Sequence, residues 1–162
     1  MSVCTFIASD ILLAEHSPSK EYPLEINIDN GTIYDGGVED NYFLSSFADV
    51  DIYTEKKYGV YLEWNYTDGR AERIIEYIKN ALQKTNTVEL WRVWLNDYQE
   101  FEDRPFIHKK AISVNELTVK HIKELDSADI WNKPDKTYPD RPSFHCLTIT
   151  RQSPIDSNLR GD

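Results

Sequence analysis

The sequence predicts an α+β fold in which two helices lie on one face of an antiparallel sheet. From residue 59 onward, segments with a two-residue hydrophobic period and segments with a helical period follow in the order strand, helix, strand, strand, helix, strand. Closer to the N-terminus, an Asn30-Gly31 pair separates two strand-like segments, which is typical of a β-hairpin. A length of 162 residues suits a single core, so we expect one domain over residues 1–151 and a polar flexible tail over residues 152–162.

The N-terminal segments predict short strands. Residues 3–8 are rich in β-branched and aromatic side chains, as strands are. Residues 24–29 alternate apolar and polar side chains, and the Asn30-Gly31 pair that follows favours a hairpin with a type I′ turn into residues 32–34. Residues 42–44 open a further strand. We expect these strands to extend the main sheet or to cover its open face, and the pattern leaves both arrangements open.

The most regular patterns lie between residues 59 and 82. Residues 59–66 predict a half-buried strand with one face made of Val60, Leu62, Trp64 and Tyr66. Thr67 and Asp68 are suited to cap the helix that follows. Apolar residues recur at helical spacing within that helix, at Ala71, Ile74, Ile75, Ile78, Ala81 and Leu82.

The next segments predict two more strands and a second helix. Residues 87–95 are apolar on both faces, which suits a strand that is covered on both sides or that meets a partner. Residues 106–113 predict another strand. Ser113 and Glu116 have the spacing of a capping box, so we expect the second helix to start there and to end near Asp126.

The C-terminal segment completes the pattern. Three prolines interrupt regular structure in residues 127–143, and residues 144–151 predict the last strand. The order β-α-β-β-α-β is that of the ferredoxin-like split β-α-β fold, whose antiparallel sheet carries both helices on one face. A fold reused this widely indicates no function by itself.

The formal net charge of −10 comes from the N-terminal part of the chain. Residues 1–69 contain 13 acidic and 3 basic side chains, whereas acidic and basic side chains balance in residues 70–162. An excess of carboxylates repels nucleic acid and anionic membranes, so we expect neither as a partner. It attracts basic proteins, and it also contributes to solubility.

An acidic, aromatic N-terminal surface is the leading functional hypothesis. Aromatic side chains provide the desolvated anchors of protein interfaces, and surrounding carboxylates steer a basic partner toward them. We therefore predict a small acidic binding protein, of the inhibitor or neutralising type, that docks onto a basic protein partner. The candidate contact residues are Glu39, Asp40, Tyr42, Asp49, Asp51 and Tyr53.

The alternative hypothesis is an enzyme that acts on a small polar or sugar substrate. His108 and His145 fall in neighbouring positions of the strand pattern, and with Glu63 they would supply an acid-base cluster if all three faced the open side of the sheet. A shift of one residue in any strand would turn its side chain to the other face, so the pattern favours three unrelated surface or boundary residues over such a cluster. His121 lies on the apolar side of the second helix, where we expect a hydrogen-bonded boundary residue rather than a ligand.

A homo-oligomer is the third hypothesis. The second face of the strand at residues 87–95 carries Trp91, Val93 and Leu95, and such a face suits contact with a second copy of the chain.

Several other classes lack their signatures in this sequence. No nucleotide-binding glycine loop, nucleophile elbow or cysteine pair with metal-ligand spacing occurs, so we expect no cofactor and no metal site. No apolar run approaches the length of a membrane span. Cys4 and Cys146 are too few for a disulfide scaffold and fit reduced thiols, which predicts a cytoplasmic protein.

Overall fold

A six-stranded mixed sheet forms the centre of the molecule. The structure, a computed structural model, describes residues 2–34, 36–131 and 141–151. Its elements are β1 Val3–Ser9, β2 Glu25–Asn27, β3 Thr32–Tyr34, β4 Tyr42–Ser46, α1 Val50–Tyr53, β5 Tyr58–Trp64, α2 Asp68–Ala81, β6 Thr87–Trp94, α3 Asp97–Glu100, β7 Ile107–Ser113, the 3-10 helix Val114–Glu116, α4 Val119–Asp126 and β8 Phe144–Thr150. The strand order in the large sheet is β4-β5-β1-β6-β8-β7.

This strand order departs from the predicted antiparallel, ferredoxin-like sheet. The first strand, β1, lies between β5 and β6 and is antiparallel to both. β7 and β8 are adjacent and parallel, so the chain between them has to cross the sheet, and α4 lies in that crossover. The sheet is therefore mixed. The order of elements was read correctly, but β1 is buried on both sides of the sheet, and such a strand belongs at the centre rather than at an edge.

The two faces of the sheet carry separate cores. The prediction that both long helices share one face is correct: α2 and α4 pack on the side that we call the helix face. Its core includes Ile7, Leu44, Val60, Leu62, Ile74, Ile78, Leu90, Ile122, Leu147 and Ile149. The other side, which we call the aromatic face, is covered by residues of α1 and α3. Its core and the residues packed on it include Phe6, Val50, Tyr53, Trp91, Val93, Tyr98 and Phe144.

The central strand β6 contributes to both cores, as its sequence predicts. Val88 and Leu90 point to the helix face, while Trp91 and Val93 point to the aromatic face. Trp91 is only 4% exposed and Val93 is fully buried. The chain itself therefore covers Trp91 and Val93, two of the three residues predicted to face a second copy, while Leu95 is half-buried.

The predicted N-terminal hairpin forms, but it forms a separate two-stranded sheet of β2 and β3. Its register pairs Asn27 with Thr32, which leaves four residues in the turn and corrects the predicted two-residue type I′ turn. The side chain of Asn27 accepts a hydrogen bond from the backbone N–H of Asp29 at 3.0 Å, and this local bond competes with a tighter turn. Gly31 supplies the one left-handed residue that the described turn needs, at φ 68°.

The two helix starts show where capping signals are reliable. Thr67 caps α2 as predicted, because its hydroxyl accepts a hydrogen bond from the N–H of Arg70 at 3.1 Å. The capping box of Ser113 and Glu116 also exists, but it caps the short 3-10 helix. The helix α4 starts later, after Thr118, so the predicted start was wrong.

Two predictions fall outside the described residues. These are the flexible tail, residues 152–162, and the middle of the proline-containing segment, residues 132–140. Among the helices in the described ranges, none combines the length and the hydropathy of a membrane-spanning segment.

Candidate functional site

The six residues predicted to form one acidic, aromatic surface do not form one surface. Tyr42 packs into the helix-face core and Tyr53 into the aromatic-face core. They are 6% and 2% exposed, and the hydroxyl of Tyr53 donates a hydrogen bond to the carbonyl of Leu95 at 3.3 Å. Buried on opposite sides of the sheet, these two rings cannot anchor a partner.

Two of the four predicted acids are engaged within the chain. Glu39 forms an ion pair with Arg73 of α2 at 3.2 Å. Asp40 accepts a hydrogen bond from the backbone N–H of Ser19 at 2.6 Å and lies 3.2 Å from His16. The bond from Ser19, with help from His16, lowers the pKa of Asp40. Asp40 thus holds the loop before the hairpin in place.

Most of the N-terminal carboxylates nevertheless keep an uncompensated charge. Lys56 pairs with Asp10 at 3.0 Å, and Arg73 and His16 engage the two acids described above. Nine further acids among the described residues of this region have no ion pair with any residue that the structure describes: Glu15, Glu21, Glu25, Asp29, Asp49, Asp51, Glu55, Glu63 and Asp68. The arginines and lysines of the C-terminal half therefore leave most of this charge free.

The hairpin exposes an apolar strip. We call residues 24–34, which comprise β2, the turn and β3, the hairpin arm. Leu24 just before β2, Ile26 within it and Ile28 in the turn after it are 58%, 67% and 89% exposed. Residues 24–32 are all exposed, so the arm buries none of these side chains against the rest of the molecule.

The structure brings two of the three predicted catalytic candidates together. His108 of β7 and His145 of β8 are paired in the sheet register, and their rings stack with centroids 4.4 Å apart. Both lie on the helix face, because Leu147 and Ile149 on the same side of β8 belong to the helix-face core. Glu63 is exposed on the other face of β5, since its neighbour Leu62 points into the helix-face core. The predicted cluster therefore loses Glu63 and does not lie on an open face.

The helix α4 completes a cavity around the two histidines. A cavity of about 210 Å³ is lined by His108, Lys109, Lys110, His121, Glu124, Leu125, His145, Cys146 and Leu147. We call it the histidine cavity. The ring nitrogen Nδ1 of His121 accepts a hydrogen bond from the backbone N–H of Thr118 at 3.1 Å, so in the neutral ring the proton is on Nε2. Glu124 lies one turn after His121 on the same helix face and is the carboxylate that lines the cavity with the three histidines.

Sequence reasoning missed the contribution of α4 to this cavity. His121 and Glu124 have the i, i+3 spacing that places two side chains on one helix face, and this signal was available. The missing information was which strands the helix covers, which depends on the parallel pairing of β7 and β8.

The surroundings of His145 are positively charged. Burial, then His108 and Arg92, lower the pKa of His145 from 6.5 to about 4, against a smaller opposing effect of Asp129. Arg92 lies directly opposite His145 in the sheet, and the hydroxyl of Thr5 accepts a hydrogen bond from its Nη1 at 3.3 Å. The Nε of Arg92 and the Nδ1 of His145 are buried and have no hydrogen-bond partner in the described part of the chain. His145 is accordingly neutral at pH 7.

A second cavity, of about 560 Å³, lies on the aromatic face beside Trp91. Several of its polar groups are satisfied by one another. Glu89 accepts hydrogen bonds from Thr54 at 2.5 Å and from the indole N–H of Trp91 at 2.9 Å, and Lys56 bonds to Asp10. These polar groups are therefore already engaged within the chain.

Neither cysteine is suited to nucleophilic chemistry. Cys4 and Cys146 are buried free thiols, and burial raises the pKa of each to about 12. The described residues contain no group of three side chains that could hold a metal ion.

Comparisons with known proteins leave the geometry as the basis for a functional proposal. No protein-family model, no curated protein and no solved structure matches the chain.

Proposed function

We propose that the protein binds a basic protein partner through the hairpin arm, as an inhibitor or neutralising partner would. The observation that carries this proposal is the strip of Leu24, Ile26 and Ile28, which is 58–89% exposed on an isolated two-stranded hairpin. A hairpin of this size is at best marginally stable alone in water. A partner that covers the strip would gain about 1.5–3 kcal/mol for each aliphatic side chain it buries.

The charge of the arm supports a basic partner. Glu21 lies just before the arm, and Glu25 and Asp29 are within it. These three acids form no ion pair with described residues. Carboxylates around an apolar centre match the usual layout of a protein interface, in which polar residues surround a desolvated core. Association with a basic surface should therefore be fast and should weaken as salt is added.

Affinity capture with matched variants tests the docking proposal. The full-length chain is immobilised and exposed to an extract of the source cells. We expect a basic protein to be retained in a fixed molar ratio. We expect its recovery to fall at least about tenfold with I26S/I28S, which removes the apolar strip, and with E25Q/D29N, which removes charge.

The controls place equivalent changes outside the arm. L12S/I52S replaces two exposed aliphatic residues, 78% and 44% exposed, and E72Q/E102Q neutralises two exposed acids. Both should retain the partner. Capture that is unchanged in the arm variants, or lost equally in the controls, or restricted to acidic proteins, or absent altogether would contradict the proposal.

We also propose, as a second function, that the histidine cavity is the active site of an enzyme acting on a small polar substrate. The supporting observation is that His108, His121, His145 and Glu124 converge on one cavity from three elements. Histidine and carboxylate side chains are the usual groups for proton transfer, and such groups typically contribute about 10²–10⁴-fold to a rate.

The enzymatic proposal is tested with chromogenic probes. We expect turnover of at least one of p-nitrophenyl acetate, p-nitrophenyl phosphate and p-nitrophenyl glucoside, reduced about 10²–10⁴-fold in H108Q and in H145Q. E63Q, on the other face of the sheet, is the control and should keep full activity. No turnover of any probe, or equal rates in all variants, would rule out this role for the cavity.

A further inference from the structure

We infer that the histidine cavity binds a small oxyanion, a carboxylate or a phosphate group. This inference rests on the second proposal, that the cavity takes a small molecule. It adds the chemical class of that molecule, and it is independent of the docking proposal for the hairpin arm.

The first support is the set of nitrogen groups that line the cavity. His108 and Lys110 come from β7, His145 from β8 and His121 from α4. Lys110 makes no ion pair or hydrogen bond with any residue in the described ranges. Protonated amines and imidazole N–H groups are hydrogen-bond donors, whereas an oxyanion offers only acceptors.

The second support is the balance of charge around His145. The groups that face it are Arg92 from β6, His108 and Lys110 from β7, His121 and Glu124 from α4, and Asp129 from the segment after α4. Arg92 and His108 outweigh Asp129 in their effect on His145. Within the lining, Lys110 balances the single carboxylate of Glu124, while the side chain of Lys109 alternates to the aromatic face with Ile107. The charge of Arg92 therefore leaves a positive excess around His145. A cation would be repelled from this site.

The third support is the pair of buried polar atoms without partners next to the cavity. The Nε of Arg92 and the Nδ1 of His145 have no hydrogen bond in the described part of the chain. Buried polar atoms nearly always have a partner, and an exception calls for an explanation. An anion beside His145 would favour the protonated ring, which then has two donors, and would offset the charge of Arg92.

The size of the cavity limits the ligand. A volume of about 210 Å³ holds a phosphate group or a short carboxylic acid, and it is smaller than the roughly 300–1,000 Å³ of pockets for larger ligands. The ligand would therefore be a small acid, or the acidic group of a larger molecule that extends out of the opening.

The test is an NMR titration of the full-length chain with inorganic phosphate and with acetate, followed at the ring of His145. We expect saturable binding and a pKa of His145 above its value of about 4 in the free protein. K110Q should weaken binding about tenfold, because a hydrogen-bonded charge is lost. E124Q should strengthen it, because a repelling carboxylate is lost. K84Q changes an exposed lysine away from the cavity and should have no effect.

The signs of these changes decide the outcome. If K110Q binds the anions as tightly as the parent chain, or E124Q binds them more weakly, or neither anion saturates the site, the inference is wrong. Parallel titrations with ethylamine and with glucose distinguish a failure of the oxyanion inference from a failure of the second proposal. Binding of either compound at His145 without binding of the anions would leave a small-molecule site of another class, whereas no binding by any of the four would remove the site itself.

Discussion

At the scale of single residues, a buried ion pair connects two distant parts of the chain. Arg141 donates two hydrogen bonds to Asp97, from Nε to Oδ1 at 3.0 Å and from Nη2 to Oδ2 at 2.8 Å. Both side chains are fully buried, and the guanidinium also lies 4.2 Å from the centre of the Phe101 ring. The pair holds α3 against the start of β8 on the aromatic face.

Removing one partner of this pair should destabilise the protein strongly. We predict that R141A lowers the free energy of unfolding by about 3–5 kcal/mol, because Asp97 is left as a buried, unpaired charge. The measurement is urea unfolding at pH 7. D97A/R141A should lose less than the sum of the two single variants, since neither charge is then buried alone. Additive losses would contradict the role given to the pair.

The shifted pKa of His145 predicts a pH dependence of stability. The folded protein holds this pKa at about 4, while the unfolded value is near 6.5. Between these two values the unfolded chain binds a proton at this position that the folded chain does not, so the free energy of unfolding falls as the pH is lowered from 6.5 to 4. Above pH 6.5 this residue contributes no pH dependence.

Comparison with H145Q isolates this effect from the other titrating groups. We predict that the difference in unfolding free energy between the parent chain and H145Q is constant from pH 7 to 8. As the pH falls from 6.5 to 4, the parent chain should then lose stability relative to H145Q. Urea unfolding at a series of pH values, without added phosphate or carboxylate, provides the measurement. A constant difference over the whole range would show that the pKa of His145 is not lowered on folding.

At the scale of elements, the contact between α1 and β5 depends on a glycine. A Cβ atom on Gly59 would lie 2.9 Å from Cγ2 of Val50 and 3.3 Å from the carbonyl oxygen of Ile7. The first of these distances is too short for two carbon atoms. The absence of a side chain at residue 59 therefore lets α1 lie directly on the sheet.

Adding a methyl group at this contact should destabilise the protein. We predict that G59A lowers the free energy of unfolding by about 1–3 kcal/mol through overpacking. In the V50A background the same G59A change should cost less stability, because the shorter side chain at residue 50 leaves room for the added methyl group. Thermal or urea unfolding of the four chains gives the coupling, and a G59A loss of the same size in the V50A background would contradict the steric cause.

Element-level predictions succeeded where local chemistry is sufficient. The strand β5 and the helix α2 have one apolar face each, and the N-cap Thr67 is satisfied within the helix itself. The start of α4 was wrong because Ser113 and Glu116 form a capping box around only one turn. Two capping signals follow one another there, and packing against the sheet selects the second, at Thr118, for the long helix.

At the scale of the whole molecule, the hairpin arm is separate from the folded body. The arm belongs to its own two-stranded sheet, and its described side chains are exposed. The far edge of the main sheet, at β4, is covered by another segment. The carbonyl and N–H of His16 bond to Leu44, and Glu15 accepts a hydrogen bond from the N–H of Ser46. This edge is thus protected from aggregation.

The arm should be dispensable for stability. Glu25 and Tyr34 are paired across the arm, so the two ends of the arm lie close enough for a short linker to replace it. We predict that replacing residues 25–34 with Gly-Ser-Gly changes the free energy of unfolding by less than about 0.5 kcal/mol, as for surface changes in general. Urea unfolding measures this. A loss of several kcal/mol would show that the arm is part of the core and not a docking element.

The sequence by itself determined the elements whose signals are local, and it determined where the net charge lies along the chain. The face of each residue in β5 and the cap of α2 follow from periods of two and 3.6 residues and from one hydroxyl group, all within a few residues. The excess of 13 acids over 3 bases in residues 1–69 is likewise a property of the chain.

The tertiary structure alone decided which of these parts meet. The placement of β1 between β5 and β6 made the sheet mixed, and the parallel pairing of β7 with β8 put His108 beside His145 under α4. The fold placed Glu63 on the face opposite to the histidines, Tyr42 in the helix-face core and Tyr53 in the aromatic-face core. Strand pairing joins residues far apart in the chain, and its free energy comes from burial on both faces of the sheet. No local pattern records that burial, so only the folded chain shows it.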